Sequence, residues 1–125
     1  MDLNRMATLA YTQAKDAGFH REGETINVGE KLMLIVSEAV EALEAHRNGK
    51  QMRESIRAVE GWVSDEDFKT HFERAAKDTF EDELADMIIR IGDLAGSFGI
   101  DIDTHVVAKL RYNRLRGYKH GGKAY

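Results

Sequence analysis

Residues 27–48 read NVGEKLMLIVSEAVEALEAHRN, and this stretch decides the fold class. Asn27 followed three residues later by Glu30 has the form of a capping box, which satisfies backbone amides left open at a helix start. Beyond it, Leu32, Ile35, Val36, Ala39, Val40 and Leu43 recur at the spacing of an amphipathic helix, and Gly49 breaks the pattern. Residues 78–98, DTFEDELADMIIRIGDLAGSF, repeat the design. Asp78 with Glu81 makes the capping pattern, Phe80, Leu84, Met87, Ile88, Ile91, Leu94 and Ala95 make the apolar face, and Gly96 and Gly99 end it. Two long capped helices, with no stretch that calls for a strand, predict an all-α fold: an antiparallel bundle in which helices 27–48 and 78–98 pack together and the first and last helices flank them.

Working outward, a first helix is predicted from Asp2 to Ala17, with Leu3, Met6, Leu9, Ala10, Ala14 and Ala17 at helical spacing and Gly18 as its stop. A last helix, capped by Asp101 or Asp103, carries Val106, Val107, Leu110 and Leu115 before Gly117. The tail Tyr118–Tyr125, with two adjacent glycines, is expected to be mobile. Residues 46–77 are mostly polar and read as an insertion, with a short helix at Gln51–Glu60, Gly61 as a stop and a second start at Ser64 with Asp67 three residues on. Its Trp62, Phe68 and Phe72 are read as anchors to the core, with base stacking as the other use.

Composition excludes several classes. At 125 residues the chain has the length of one domain, and 42% hydrophobic with 32% charged residues is too apolar for a disordered chain. Without Cys there is no disulfide, no thiolate nucleophile and no Cys-ligated zinc or iron–sulfur site. The absence of Pro and the low aromatic content argue against a β-sandwich. No apolar run is long enough for a signal peptide or a membrane span, so a cytoplasmic location is expected. The net charge of −4 is uneven: residues 105–125 hold six Lys/Arg and no acid, leaving 12 Lys/Arg against 22 acids in the rest. An acidic body repels a long polyanion, so a compact phosphate ligand fits this balance better than nucleic acid. The plainer reading is a solvated helix end whose cations complement the helix dipole.

Two pairs of carboxylates stand three apart on a helical face, Glu38 with Glu41 and Glu83 with Asp86. With 22 acids in the chain about four such pairs arise by chance, and four are present, so frequency carries no weight. Position does. Glu38 and Glu41 lie beside the arc of Leu32, Val36, Ala39, Val40 and Leu43, expected to be the buried seam, and Glu83 and Asp86 lie likewise beside Phe80, Leu84, Met87, Ile88 and Ile91. Four carboxylates crowding such a seam repel one another unless cations neutralise them, and oxygen ligands without thiolate or imidazole favour Mg²⁺ or Mn²⁺. The alternative is that each pair marks the solvated edge of its helix. No Glu-x-x-His pair of the kind di-iron bundles use is present. On the last helix Lys109, Asn113 and Arg116 fall on one face and offer an ammonium, an amide and a guanidinium to phosphate oxygens, unless that face is simply solvated. One ligand, a magnesium nucleotide, explains both the acidic seam and the cationic row.

These residues resemble the MazG-like family of all-α nucleoside triphosphate pyrophosphohydrolases. The likeness is carried by Ser37-Glu38-Ala39-Val40-Glu41, by Glu83-Leu84-Ala85-Asp86 and by Lys109, Asn113 and Arg116, and it covers most of residues 27–117. It implies one MazG-like domain over residues 1–125, cleavage of a nucleoside triphosphate between the α and β phosphates, Mg²⁺ (or Mn²⁺) on Glu38, Glu41, Glu83 and Asp86, Glu38 or Glu41 as general base, and substrate contacts from Lys109, Asn113 and Arg116. It also implies a bundle completed by oligomerisation, as a homodimer or homotetramer. Two features depart from the family pattern: Ser37 stands where another acid usually begins the first motif, and the polar segment 46–77 is longer than in compact members. Three other readings stay open: a phosphoribosyl-ATP pyrophosphohydrolase-like activity, a non-catalytic nucleotide-binding helical module, and RNA binding through the basic tail.

Overall fold

The computed structural model describes residues 2–56 and 64–125. They form α1 (Leu3–Asp16), α2 (Val28–Arg47), α3 (Asp65–Ala75), α4 (Phe80–Ser97) and α5 (Ile102–Leu115), followed by a four-residue turn, Lys119–Gly122, interrupted by left-handed residues. The fold is all-helical, and no strand occurs among the described residues. No helix among them is long and apolar enough to cross a membrane.

The ends of the helices follow from their caps. Asn27 accepts the Glu30 amide and opens α2, Ser64 accepts the Asp67 amide and opens α3, and Asp101 accepts the Thr104 amide and opens α5. The start of α4 differs from the Asp78–Glu81 pattern. Asp78 sits at φ +61 outside the helix, and the cap is one residue further on, where Thr79 Oγ1 accepts the Asp82 amide while Asp82 Oδ2 accepts the Asp78 amide. Glu81, released from capping, accepts the Met52 amide at 2.9 Å, and the Lys50 carbonyl accepts the Phe80 amide at 2.8 Å. These two bonds direct the backbone of residues 50–52 toward α4, and residues 51–56 are accordingly not helical. The remainder of the short helix expected at Gln51–Glu60, together with Gly61 and Trp62, lies outside the described residues. Phe68 and Phe72 are half-buried against each other, with ring centres 5.8 Å apart.

The described chain falls into two compact units, Thr25–Ile91 and Met1–Glu24 with Gly92–Tyr125, so the division lies inside α4. In the first, His46 near the end of α2 meets Phe80 at the start of α4, while Glu38 meets Arg90 further along, so the two helices run antiparallel. In the second, the starts of α1 and α5 are tied together: Asn4 bonds to Asp101 and to the Asp103 amide, and the Leu3 amide donates to Asp103. Gly92 and Gly96 lie against α1, and a Cβ at Gly96 would stand 2.6 Å from the Ala7 carbonyl oxygen. Gly96 is therefore a packing glycine within α4, not its terminator, and Gly99 at φ +63 ends the helix instead.

Burial is the main departure from the apolar periodicity. Among the described residues the buried hydrophobic ones are alanines, Ala7, Ala10, Ala42, Ala45, Ala76 and Ala95, and Glu38, Thr79, Glu83 and Asp93 are also buried. Leu32, Val36, Val40 and Leu43 of the expected α2 seam are exposed, as are Leu84, Ile88 and Ile91 of α4. Alanine and glycine faces let helix backbones approach closely, and α2 turns its Glu38-Ala42-Ala45 face inward, leaving the broad aliphatic face outside.

Candidate metal centre

The inward face of α2 carries Glu38 into the same small volume as Glu83 and Asp86 of α4. One carboxylate oxygen from each of the three lies within 4.8 Å of the others, and only Asp86 is partly accessible. Glu38 is 5% and Glu83 7% exposed. The placement comes from register: on α4, Glu83, Asp86 and Arg90 stand at i, i+3 and i+7, so two acids and a guanidinium share the stripe that meets α2. Arg90 Nε donates to Glu38 Oε1 at 2.5 Å. Arg90 is the cation paired with Glu38 among the described residues.

Glu41 is exposed, one turn along α2, and its carboxyl is close enough to share a proton with Glu38. Thus Glu38, Glu83 and Asp86 meet directly, while Glu41 stands at the rim. Ser37 is exposed and donates its hydroxyl back to the Leu34 carbonyl, so it adds nothing to the group.

Crowding sets the proton affinities. Burial pushes Glu38 up, but hydrogen bonds with Glu41 and Arg90, the Arg90 charge and a hydrogen bond with Glu83 outweigh it and hold this carboxyl below the ordinary range. Its neighbours move the other way. Glu41 is raised by its hydrogen bond with Glu38 and then by the Glu38 charge. Glu83 is pushed up to about 7, first by burial and then by the charge of Glu41. Asp86 is raised by burial and then by the charge of Asp82. One Arg-paired carboxyl held below its ordinary range is thus surrounded by acids whose proton affinities are raised. A buried set of hard oxygen donors short of positive charge is the chemistry that suits Mg²⁺ or Mn²⁺, so the side chains present fit such an ion.

The other three predicted residues belong to the second unit. Lys109 is exposed, and Asn113 and Arg116 are half-buried on the same face of α5. Tyr112, which the sequence reading passed over, lies between the two cations: Lys109 Nζ is 5.0 Å and Arg116 Cζ 5.7 Å from its ring centre. Asn113 Oδ1 is buried with no hydrogen-bond partner among the described residues. Arg90 and Tyr112 both had a signal in the sequence, since each sits three or four residues from a residue already singled out. The pair of His20 and Asp93, joined at 2.6 Å with Tyr11 edge-on to the imidazole, had none, because 73 residues separate its members.

Compared with known proteins, the chain matches no family model, no curated protein and no solved structure.

Proposed function

We propose that the chain is a Mg²⁺-dependent nucleoside triphosphate pyrophosphohydrolase that releases a nucleoside monophosphate and pyrophosphate, with a role in clearing the nucleotide pool. The observation that carries this reading is the convergence of Glu38, Glu83 and Asp86, from two antiparallel helices, into one buried and charge-deficient group. The resemblance of the two acidic motifs and of the Lys109, Asn113, Arg116 row to MazG-like enzymes supplies the reaction.

Glu38, Glu83 and Asp86, with Glu41 at the rim, would hold the ion. Mg²⁺ bound there supplies Lewis acidity, polarising the α-phosphate and lowering the pKa of water. Glu38, held below the ordinary range despite its burial by hydrogen bonds with Glu41 and Arg90, would contribute negative charge to the ion. Glu41 faces solvent, so of the two candidate bases it is the better placed to take a proton from the attacking water and pass it on. Lys109, Asn113 and Arg116 are assigned as contacts to substrate phosphates on the resemblance, and the Tyr112 ring would keep the two cations in place.

The decisive experiment is pyrophosphate release over a panel of normal and modified nucleoside triphosphates, with Mg²⁺ and then with EDTA. Turnover is expected with Mg²⁺ and none with EDTA. Glu41→Gln and Asp86→Asn should each lower it by about a thousandfold with the helical circular dichroism unchanged. Full activity in both variants overturns the assignment.

We also propose that the exposed aliphatic faces of α2 and α4 are covered by a second copy of the chain. Val40 is 53% and Ile88 51% exposed, within a group that also includes Leu32, Val36, Leu43, Leu84 and Ile91, and exposed apolar surface of this kind marks interaction sites. Light scattering should report a homodimer or homotetramer, and Val40→Asp with Ile88→Asp should yield a monomer. A monomer in the unsubstituted chain at micromolar concentration would refute this.

A further inference from the structure

We propose that Arg90 is the resident cation of the carboxylate centre, paired with Glu38 while no divalent ion is bound and displaced from it when one enters. This rests on the metal-centre reading above and concerns how the centre keeps its charge balanced.

A carboxylate as buried as Glu38 must be neutralised at all times, because an isolated charge shielded from water is strongly unfavourable. Two cations compete for it. The first is built in: Arg90 Nε sits 2.5 Å from Oε1, on the stripe of α4 that also carries Glu83 and Asp86. The second is the ion that three convergent carboxylates suit. Both cannot stay close, since a guanidinium and a divalent ion on one carboxylate repel each other across a few ångströms of poorly screening interior.

The side chains differ in freedom in the way that displacement requires. The Glu38 side chain is 7% accessible whereas that of Arg90 is 40% accessible, so the guanidinium side chain already reaches solvent while the carboxylate is shielded. A long arginine stem lets the head swing outward with its charge in water and its methylenes still on the helix. The ion meets three carboxylates and the guanidinium is paired with one of them, so the ion is the stronger claimant and Arg90 the one that leaves.

Displacement gives a sign that a merely structural role does not. If Arg90 only holds Glu38 in place, its removal loosens the ligand and weakens ion uptake. If Arg90 competes, its removal strengthens uptake. Calorimetric titration of the full-length chain with Mn²⁺ should show Arg90→Gln binding about tenfold more tightly than the unsubstituted chain, with Arg90→Lys, which keeps the charge, close to the unsubstituted value. In the unsubstituted chain the Arg90 Nε–H resonance, followed by ¹⁵N spectroscopy during a Mg²⁺ titration, should shift and lose its protection from solvent exchange at the same midpoint as ion binding. Unchanged or weaker Mn²⁺ binding by Arg90→Gln, or an unmoved resonance at Mg²⁺ saturation, overturns the inference and leaves the metal centre standing. Should the variant fail to fold, the resonance alone decides. If the unsubstituted chain takes up neither ion, or if uptake survives in a Glu83→Gln, Asp86→Asn double variant, the metal-centre reading itself fails.

Discussion

Among the described residues, buried acid lies in two places with different surroundings. Asp93 meets His20, whose Nε2 lies 2.6 Å from Oδ1; Tyr11 packs against the imidazole, and both side chains are largely shielded. Glu38 also has one cation, Arg90, but shares its volume with Glu83 and Asp86 and has Glu41 at its edge. The first joins one carboxylate to one imidazole. The second gathers three carboxylates around one paired guanidinium, and burial followed by the charge of Glu41 raises Glu83 to about 7. A carboxylate beside an imidazole is explained by folding, whereas several carboxylates around one guanidinium invite something from outside the chain.

The comparison breaks most readily at His20 and Asp93. Removing one member of a buried hydrogen-bonded pair typically costs about 3 kcal/mol. His20→Ala should therefore lower the unfolding free energy by about that much in urea titrations at constant pH, with Mn²⁺ affinity unchanged. A loss of Mn²⁺ affinity in His20→Ala would mean that the two buried acids do not have separate purposes. The same change should speed hydrogen exchange of the Phe19 amide, which donates to Ala14 at the end of α1.

Much of this contrast was legible from residue order, and the part that was not has a definite cause. The capping residues Asn27, Ser64 and Asp101 and the left-handed glycines Gly18, Gly49, Gly99 and Gly117 mark helix ends locally, so those ends are read from a few neighbouring residues. The i, i+3 spacing likewise puts Glu38 beside Glu41 and Glu83 beside Asp86. Which face of α2 turns inward is not local, because the helix has apolar residues on more than one side and close approach to α4 selects the small ones, Ala42 and Ala45. The largest aliphatic arc thus reads as the core, whereas Glu38, Ala42 and Ala45 are what α2 buries. The α4 cap moved from Asp78 to Thr79 for a related reason: Glu81 is drawn to the Met52 amide, a partner 29 residues away. His20 with Asp93 could not be read from spacing at all.

The carboxylate centre itself makes the last and smallest prediction, which concerns pH. Glu83 has a folded-state value of about 7, above the ordinary 4.5, so between those limits the folded chain binds more protons than the unfolded chain. Stability therefore falls as pH rises from about 4.5 to 7 and levels beyond, by up to roughly 1.4 kcal/mol for each unit of pH in that window. Glu38, held below its ordinary value, acts in the opposite sense, with stability present above that value and lost as pH falls below it, so it does not cancel the fall near neutrality. Glu83→Gln removes this ionisable group and should lessen that fall, to which the raised Glu41 and Asp86 also contribute, leaving the ion-free variant about 1–3 kcal/mol more stable than the unsubstituted chain at pH 8 and close to it near pH 5. Because a ligand must give up its proton to a metal, Mg²⁺ should raise the melting temperature of the unsubstituted chain more at pH 8 than at pH 6, and that of Glu83→Gln little at either. Melting curves at the two pH values, with and without Mg²⁺, separate the cases. If Glu83→Gln is less stable than the unsubstituted chain at pH 8, the centre has no shortage of positive charge, and the distinction between the two sites is lost.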